Sequence, residues 1–196
     1  MKTKKLKMPM PSKSDVSARI STINNAFAQS VIPRILEEDQ EKLKTYYHEL
    51  GIKEGQCAYC LKDRASTGDH LRPLIKDKLP TGYLTNISNI VPCCSECNSS
   101  KGGKDFEVWY KSNKNLERLK KIGLTEKQIN DRYNTITRYL TKHKQKPLNF
   151  KNIVGIADWN EFIKRKKQLE KLLNDDKKFC DKLLDKIKKH IQRNKQ

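Results

Sequence analysis

The chain has 196 residues, enough for one domain with a real core or for a small domain with helical attachments. Only 35% of it is hydrophobic and no run reaches the roughly 18 apolar residues of a membrane span, so a helix crossing a bilayer is excluded. Its net charge of +19, from 42 basic and 23 acidic residues, points to a polyanion partner, because neutralising phosphates releases counterions.

Residues 1–13 carry five lysines and no acid, and read as a flexible basic arm. They contain no apolar stretch of the kind a secretory signal needs, so an intracellular protein is expected. From Ser14, a good N-cap, apolar residues fall at Val16, Ile20, Ile23, Phe27 and Val31. Those steps of three and four predict one face of a helix. Pro33 is expected to end it and to open a second helix striped by Leu36, Leu43, Tyr47 and Leu50 and closed by Gly51. These two helices make up an N-terminal segment, 14–51, in which His48 reads as a surface or packing residue.

The central segment, 52–112, carries the chemistry. It reads C-A-Y-C at Cys57–Cys60, then D-H-L-R-P from Asp69 to Pro73, then N-I-V-P from Asn89, then C-S-E-C-N ending at Asn98. Each C-x-x-C turn can bring two thiolates onto one face of a tetrahedral ion, and two such turns complete a four-cysteine zinc site. Cys57, Cys60, Cys94 and Cys97 are the predicted ligands. Cys93 lacks the two-residue gap to Cys97 and is read as a packing residue. The interval between the pairs is too long for a compact zinc ribbon, so the closed loop must hold something. What it holds is Asp69, His70 and Asn89, with Asn98 directly after the last thiolate. His70 suits a general base, since a neutral imidazole is available near pH 7. Adjacent side chains on a strand point to opposite faces, so one of Asp69 and His70 could hold a metal while the other reaches a water from another direction.

Beyond the motif, Asp105–Ser112 predicts a short helix presenting Phe106, Trp109 and Tyr110 to the core, and Leu116–Ile122 another, stopped by Gly123. Thr125 with Gln128 is a capping-box signature for a helix carrying Ile129, Tyr133, Ile136 and Leu140. Lys142–Lys146 and Pro147 break the pattern, and His143 there reads as one more polar residue. From Asp158 an apolar series runs from Trp159 to Ile191. Asp175 and Asp176 interrupt it, predicting two helices or a kinked one, and Cys180 on the apolar side reads as a buried hydrophobe. This is the basic C-terminal helical region, 113–196.

The order D-H, N, C-x-x-C-N around two knuckles resembles the HNH (ββα-metal) nucleases whose motif is buttressed by a four-cysteine zinc, and within them small restriction-type enzymes. The resemblance covers roughly a quarter of the chain. It implies an α+β fold, a zinc-stapled ββα-metal core flanked by helices. Its expected order is knuckle, strand with Asp69 and His70, an extended loop over 76–88, strand into Pro92, knuckle, and a short helix with Asn98 stopped at Gly102 and Gly103. Family roles would make Asp69 and Asn98 ligands of a catalytic ion, His70 the activator of water, and Asn89 the scaffold that ties the loop. Asn86 competes with Asn89 for that last role. Hard oxygen ligands favour Mg²⁺, with Mn²⁺ a substitute. Many relatives have His at the third position, so Asn98 leaves metal preference open. Arg72 and Lys101 are expected either against phosphate or as solvated surface residues. The implied function is hydrolysis of double-stranded DNA by a metal-dependent endonuclease, a homodimer if its site is palindromic. The alternative is a non-catalytic zinc protein that binds DNA or RNA, which would have no use for Asp69, His70 and Asn98 together.

Overall fold

The computed structural model describes residues 16–35 and 39–193; the predicted arm, the Ser14 cap and Leu36 lie outside these. Two compact units divide the chain. One spans Phe27–Trp159; the other is formed by the described residues up to Ala26 and from Asn160 onward.

The first helix, α1, runs Ser17–Gln29. The second, α2, is Gln40–Glu49 and does not open at Pro33. Its start is set by Asp39, whose carboxylate accepts from the backbone N–H groups of Glu41 and Lys42 at 3.0 and 3.3 Å. That satisfies two donors a helix N-terminus otherwise leaves orphaned. Gly51, with φ of 58°, follows the helix in the left-handed conformation that ends it.

Strand β1 (Thr67–His70) comes next, then a two-residue hairpin of β2 (Ile75–Lys76) and β3 (Leu79–Pro80), then β4 (Ile90–Cys93). β1 and β4 pair antiparallel, with Asp69 opposite Val91 and His70 opposite Ile90. The loop expected over 76–88 thus contains a small hairpin of its own, turned by Asp77 and Lys78, both at positive φ (51° and 63°). Gly82 docks this loop. Its φ is +92°, a Cβ there would lie 2.3 Å from the Leu148 carbonyl oxygen, and its own carbonyl accepts from Leu148 N–H at 2.9 Å.

Helix α3 (Ser95–Lys101) starts directly after Cys94 and stops at Gly102, with φ of 53°. It packs on β1, completing a ββα unit. Short α4 (Phe106–Tyr110) is capped by the Asp105 side chain on Glu107 N–H; α5 (Asn113–Lys121) follows. The capping box of Thr125 and Gln128 opens α6 (Glu126–Lys142). Its C-cap, His143, is more than a polar loop residue: the ring packs on Tyr46 and Tyr139, and Nε2 meets Glu49. After α7 (Phe150–Val154), α8 runs unbroken over Ile156–Arg193. Asp175 and Asp176 do not interrupt it, because exposed carboxylates stay hydrated and Asp175 lies 3.8 Å from Lys178, one turn on. Cys180, expected to be buried, is exposed on this helix.

The core of the larger unit forms around the motif. Tyr59, Phe106, Trp109 and Tyr110 are fully buried, with Tyr59 stacked on Phe106 at 6.0 Å and edge-on to Trp109 at 4.9 Å. Leu50, Leu71, Val91, Leu119 and Ile136 fill the rest. Arg132 is buried among them, its guanidinium donating to the carbonyls of Ala58 and Leu50. It ties α6 to the first knuckle and to the end of α2. No described helix is long and apolar enough to cross a membrane.

Candidate active site and metal cluster

The sulfurs of Cys57, Cys60, Cys94 and Cys97 all lie within 4.8 Å of one another, and all four residues are buried. Around an ion with thiolates at about 2.3 Å, tetrahedral geometry sets sulfur–sulfur edges near ~3.8 Å. The Cys60 and Cys94 sulfurs are 3.9 Å apart. The donor set therefore fits a metal, and these four cysteines could hold one. Hydrogen bonding with Cys57 lowers the Cys60 thiol and raises that of Cys97, as expected where neighbouring sulfurs share too few protons. Cys93 is buried beside the cluster but outside it, and burial pushes its thiol up to about 12. From α5, Arg118 Nη2 donates to Cys97 Sγ at 3.3 Å while Asn115 holds the guanidinium at 2.8 and 3.1 Å.

The strand period decides what lies next to the cluster. Val91, opposite Asp69, is buried, so Asp69 points into the core and His70 to the other face. Asp69 Oδ2 accepts from the Tyr59 hydroxyl at 2.6 Å and pairs with Lys101 Nζ at 3.1 Å. Oδ1 carries no hydrogen bond among the described residues. Lys101 is 1% exposed, and its ammonium also donates to the His70 carbonyl. The expectation that Lys101 reaches phosphate is thus corrected. Spacing along α3 turns it back onto β1, and the Asp69 carboxylate holds it there.

His70 Nε2 lies 3.0 Å from Thr85 Oγ1, leaving Nδ1 without a protein partner among the described residues. Burial lowers the pKa of the ring, and the positive charges of Lys101 and Arg34 add to the effect against the opposing pull of Asp69. The shift favours the neutral form of the ring. Asn89 is buried and fully engaged: Oδ1 accepts from Arg72 N–H at 2.8 Å, and Nδ2 donates to the carbonyls of Arg72 and Leu84. It spans from the exit of β1 to the loop that carries Thr85. The Asn86 side chain instead meets Ser88 and Gln145. Asn98 is half-buried on α3, and its amide makes no hydrogen bond among the described residues. Arg72 is partly exposed and pairs with Asp105 at 3.1 Å.

A family model described as HNH endonuclease matches residues 57–104, a span that begins at the first knuckle and closes just after α3. The chain carries an HNH endonuclease domain. It is also similar to the SPbeta prophage-derived putative HNH endonuclease YoqL of Bacillus subtilis (strain 168), at 34% identity over 97 residues. That match covers 45% of this chain and 40% of the relative's length. No solved structure matches.

Three contacts made to residues of this HNH domain escaped the sequence reading. Tyr59 sits inside the C-A-Y-C knuckle, where its position could have marked it. Thr85 carries no motif and meets His70 only because the loop folds back, held by a bridge to Arg34 and by Ile35 N–H on its carbonyl at 2.7 Å. Arg118 lies outside the domain, and nothing in its spacing points to Cys97.

Proposed function

We propose that the protein is a metal-dependent endonuclease acting on double-stranded DNA, of the restriction type, with zinc in the four-cysteine cluster. The observation that carries this reading is the β1 register, which puts Asp69 and His70 on opposite faces of one strand beside the cluster. The net charge of +19 supports a nucleic-acid substrate.

Asp69 and Asn98 suit the catalytic ion, since each offers a hard oxygen with no hydrogen bond among the described residues: Oδ1 of Asp69 and the amide oxygen of Asn98. When bound, a divalent cation such as Mg²⁺ or Mn²⁺ supplies positive charge to the phosphate and the leaving oxygen. His70 takes a proton from the attacking water at Nδ1, with Thr85 holding Nε2. The water oxygen joins phosphorus, the bond to one deoxyribose oxygen breaks, and that oxygen gains a proton from solvent. Asn89 keeps the His70 end of β1 and the Thr85 loop at a set distance. Arg34, exposed and close enough to act on the His70 ring, offers a guanidinium to phosphate in place of the buried Lys101.

The test is supercoiled plasmid with Mg²⁺ and the purified protein. Discrete fragments support a restriction-type enzyme, and a smear a non-specific nuclease. His70→Ala should retain DNA binding and lose cleavage by roughly 10²–10⁴-fold. Wild-type cleavage by a folded, zinc-loaded His70→Ala protein would reject His70 as the base, and DNA binding without any cleavage by the unaltered protein would leave a zinc-containing DNA-binding protein as the better reading.

A further inference from the structure

We infer that Tyr59 and Lys101 form a carboxylate clamp through which the four-cysteine cluster positions the catalytic metal ligand, with Tyr59 as a positioning residue. This rests on Asp69 being that ligand, as proposed above.

Both donors of the clamp are carried by the knuckles. Tyr59 lies between Cys57 and Cys60, and Lys101 lies one turn beyond Cys97 on the helix that begins after Cys94. Tyr59 has little freedom. Its carbonyl accepts from the Tyr110 hydroxyl at 3.0 Å, the preceding Ala58 is bonded to Pro92 and Arg132, and its ring is boxed by Phe106 and Trp109. The hydroxyl therefore sits where the knuckle puts it. Lys101 is equally fixed, with one ammonium bridging the Asp69 carboxylate and the His70 carbonyl.

Both donors converge on Oδ2. A carboxylate with one oxygen held from two directions cannot rotate about its terminal torsion, so Oδ1 is presented in one direction. Removing a group that orients a metal ligand in this way typically costs about 10–100-fold in metal affinity. An ion in the cluster fixes the two knuckles, the knuckles fix the two donors, and the donors fix Asp69. The sulfur cluster thus sets the affinity of the catalytic site as well as the stability of the fold.

Tyr59→Phe removes one hydroxyl and changes neither charge nor ring packing. In zinc-loaded protein without DNA, Mn²⁺ binding read from the free-ion electron paramagnetic resonance signal should weaken by about 10–100-fold. The Mg²⁺ concentration for half-maximal cleavage should rise by a similar factor, while the rate at saturating metal stays close to wild type. Asp69→Asn should weaken Mn²⁺ binding too, and adding Tyr59→Phe to it should change nothing further. Unchanged Mn²⁺ affinity in Tyr59→Phe, where Asp69→Asn is weakened, overturns the clamp and leaves the ligand intact. An equal Tyr59→Phe effect in the Asp69→Asn background also overturns it, because the hydroxyl would then act elsewhere. Mn²⁺ affinity unchanged by Asp69→Asn overturns the metal-ligand reading, and the clamp with it.

Discussion

Lys101→Met should be among the most destabilising single changes in the chain. The ammonium is 1% exposed and the Asp69 side chain 8%, so neither charge is offset by water. Removing the lysine leaves a buried carboxylate with only the Tyr59 hydroxyl, and frees the His70 carbonyl of a donor. Breaking a buried pair from one side costs about 3–5 kcal/mol, because the remaining charge is uncompensated. That is a large fraction of the roughly 5–15 kcal/mol that holds a typical domain together. With a urea slope of about 2 kcal/mol per molar, the midpoint should fall by ~1.5–2.5 M. The assay is urea denaturation of zinc-loaded protein followed by circular dichroism. Lys101→Met/Asp69→Asn should recover more than half of the loss, since it removes the orphaned charge and keeps an acceptor for Tyr59. A single variant within about 0.5 kcal/mol of wild type, or a double variant no better than the single, would refute the view that the pair is desolvated.

The pH dependence follows from the depressed pKa of His70. As the base must be unprotonated, cleavage should be level near pH 7 and fall only below His70's own pKa, which lies under the ordinary value of about 6.5. A rate still climbing steeply above pH 7 would contradict a buried neutral imidazole. Elemental analysis should find one zinc per wild-type chain and less in Cys97→Ser, which should also unfold at lower temperature, since thiolate binding and folding are one equilibrium; equal zinc content and melting point would argue against the cluster as a metal site. Gly82→Ala should destabilise by more than ~1 kcal/mol in thermal unfolding, because the new Cβ meets the Leu148 carbonyl and the backbone sits at φ +92°. An unchanged melting temperature would mean that the loop is not docked there.

Local chemistry alone determined much of this protein. Two C-x-x-C turns specify thiolates in pairs, and the structure brings all four sulfurs together. The Asp69-His70 dipeptide on a strand specifies side chains on opposite faces, and the Thr125–Gln128 box opens its helix where the spacing placed it. Each of these depends on neighbours within a few residues, which is what a sequence displays. Contacts between distant residues were decided by packing. Nothing local says that α3 turns Lys101 inward; its position beside Asp69 depends on the register of β1 with β4 and on how the helix seats on them. Thr85 reaches His70 only once Asn89 has tied the loop. The same holds for α8: a pattern of side chains suggests a break at Asp175 and Asp176, but a helix breaks for backbone reasons, and two hydrated carboxylates leave its hydrogen bonds intact.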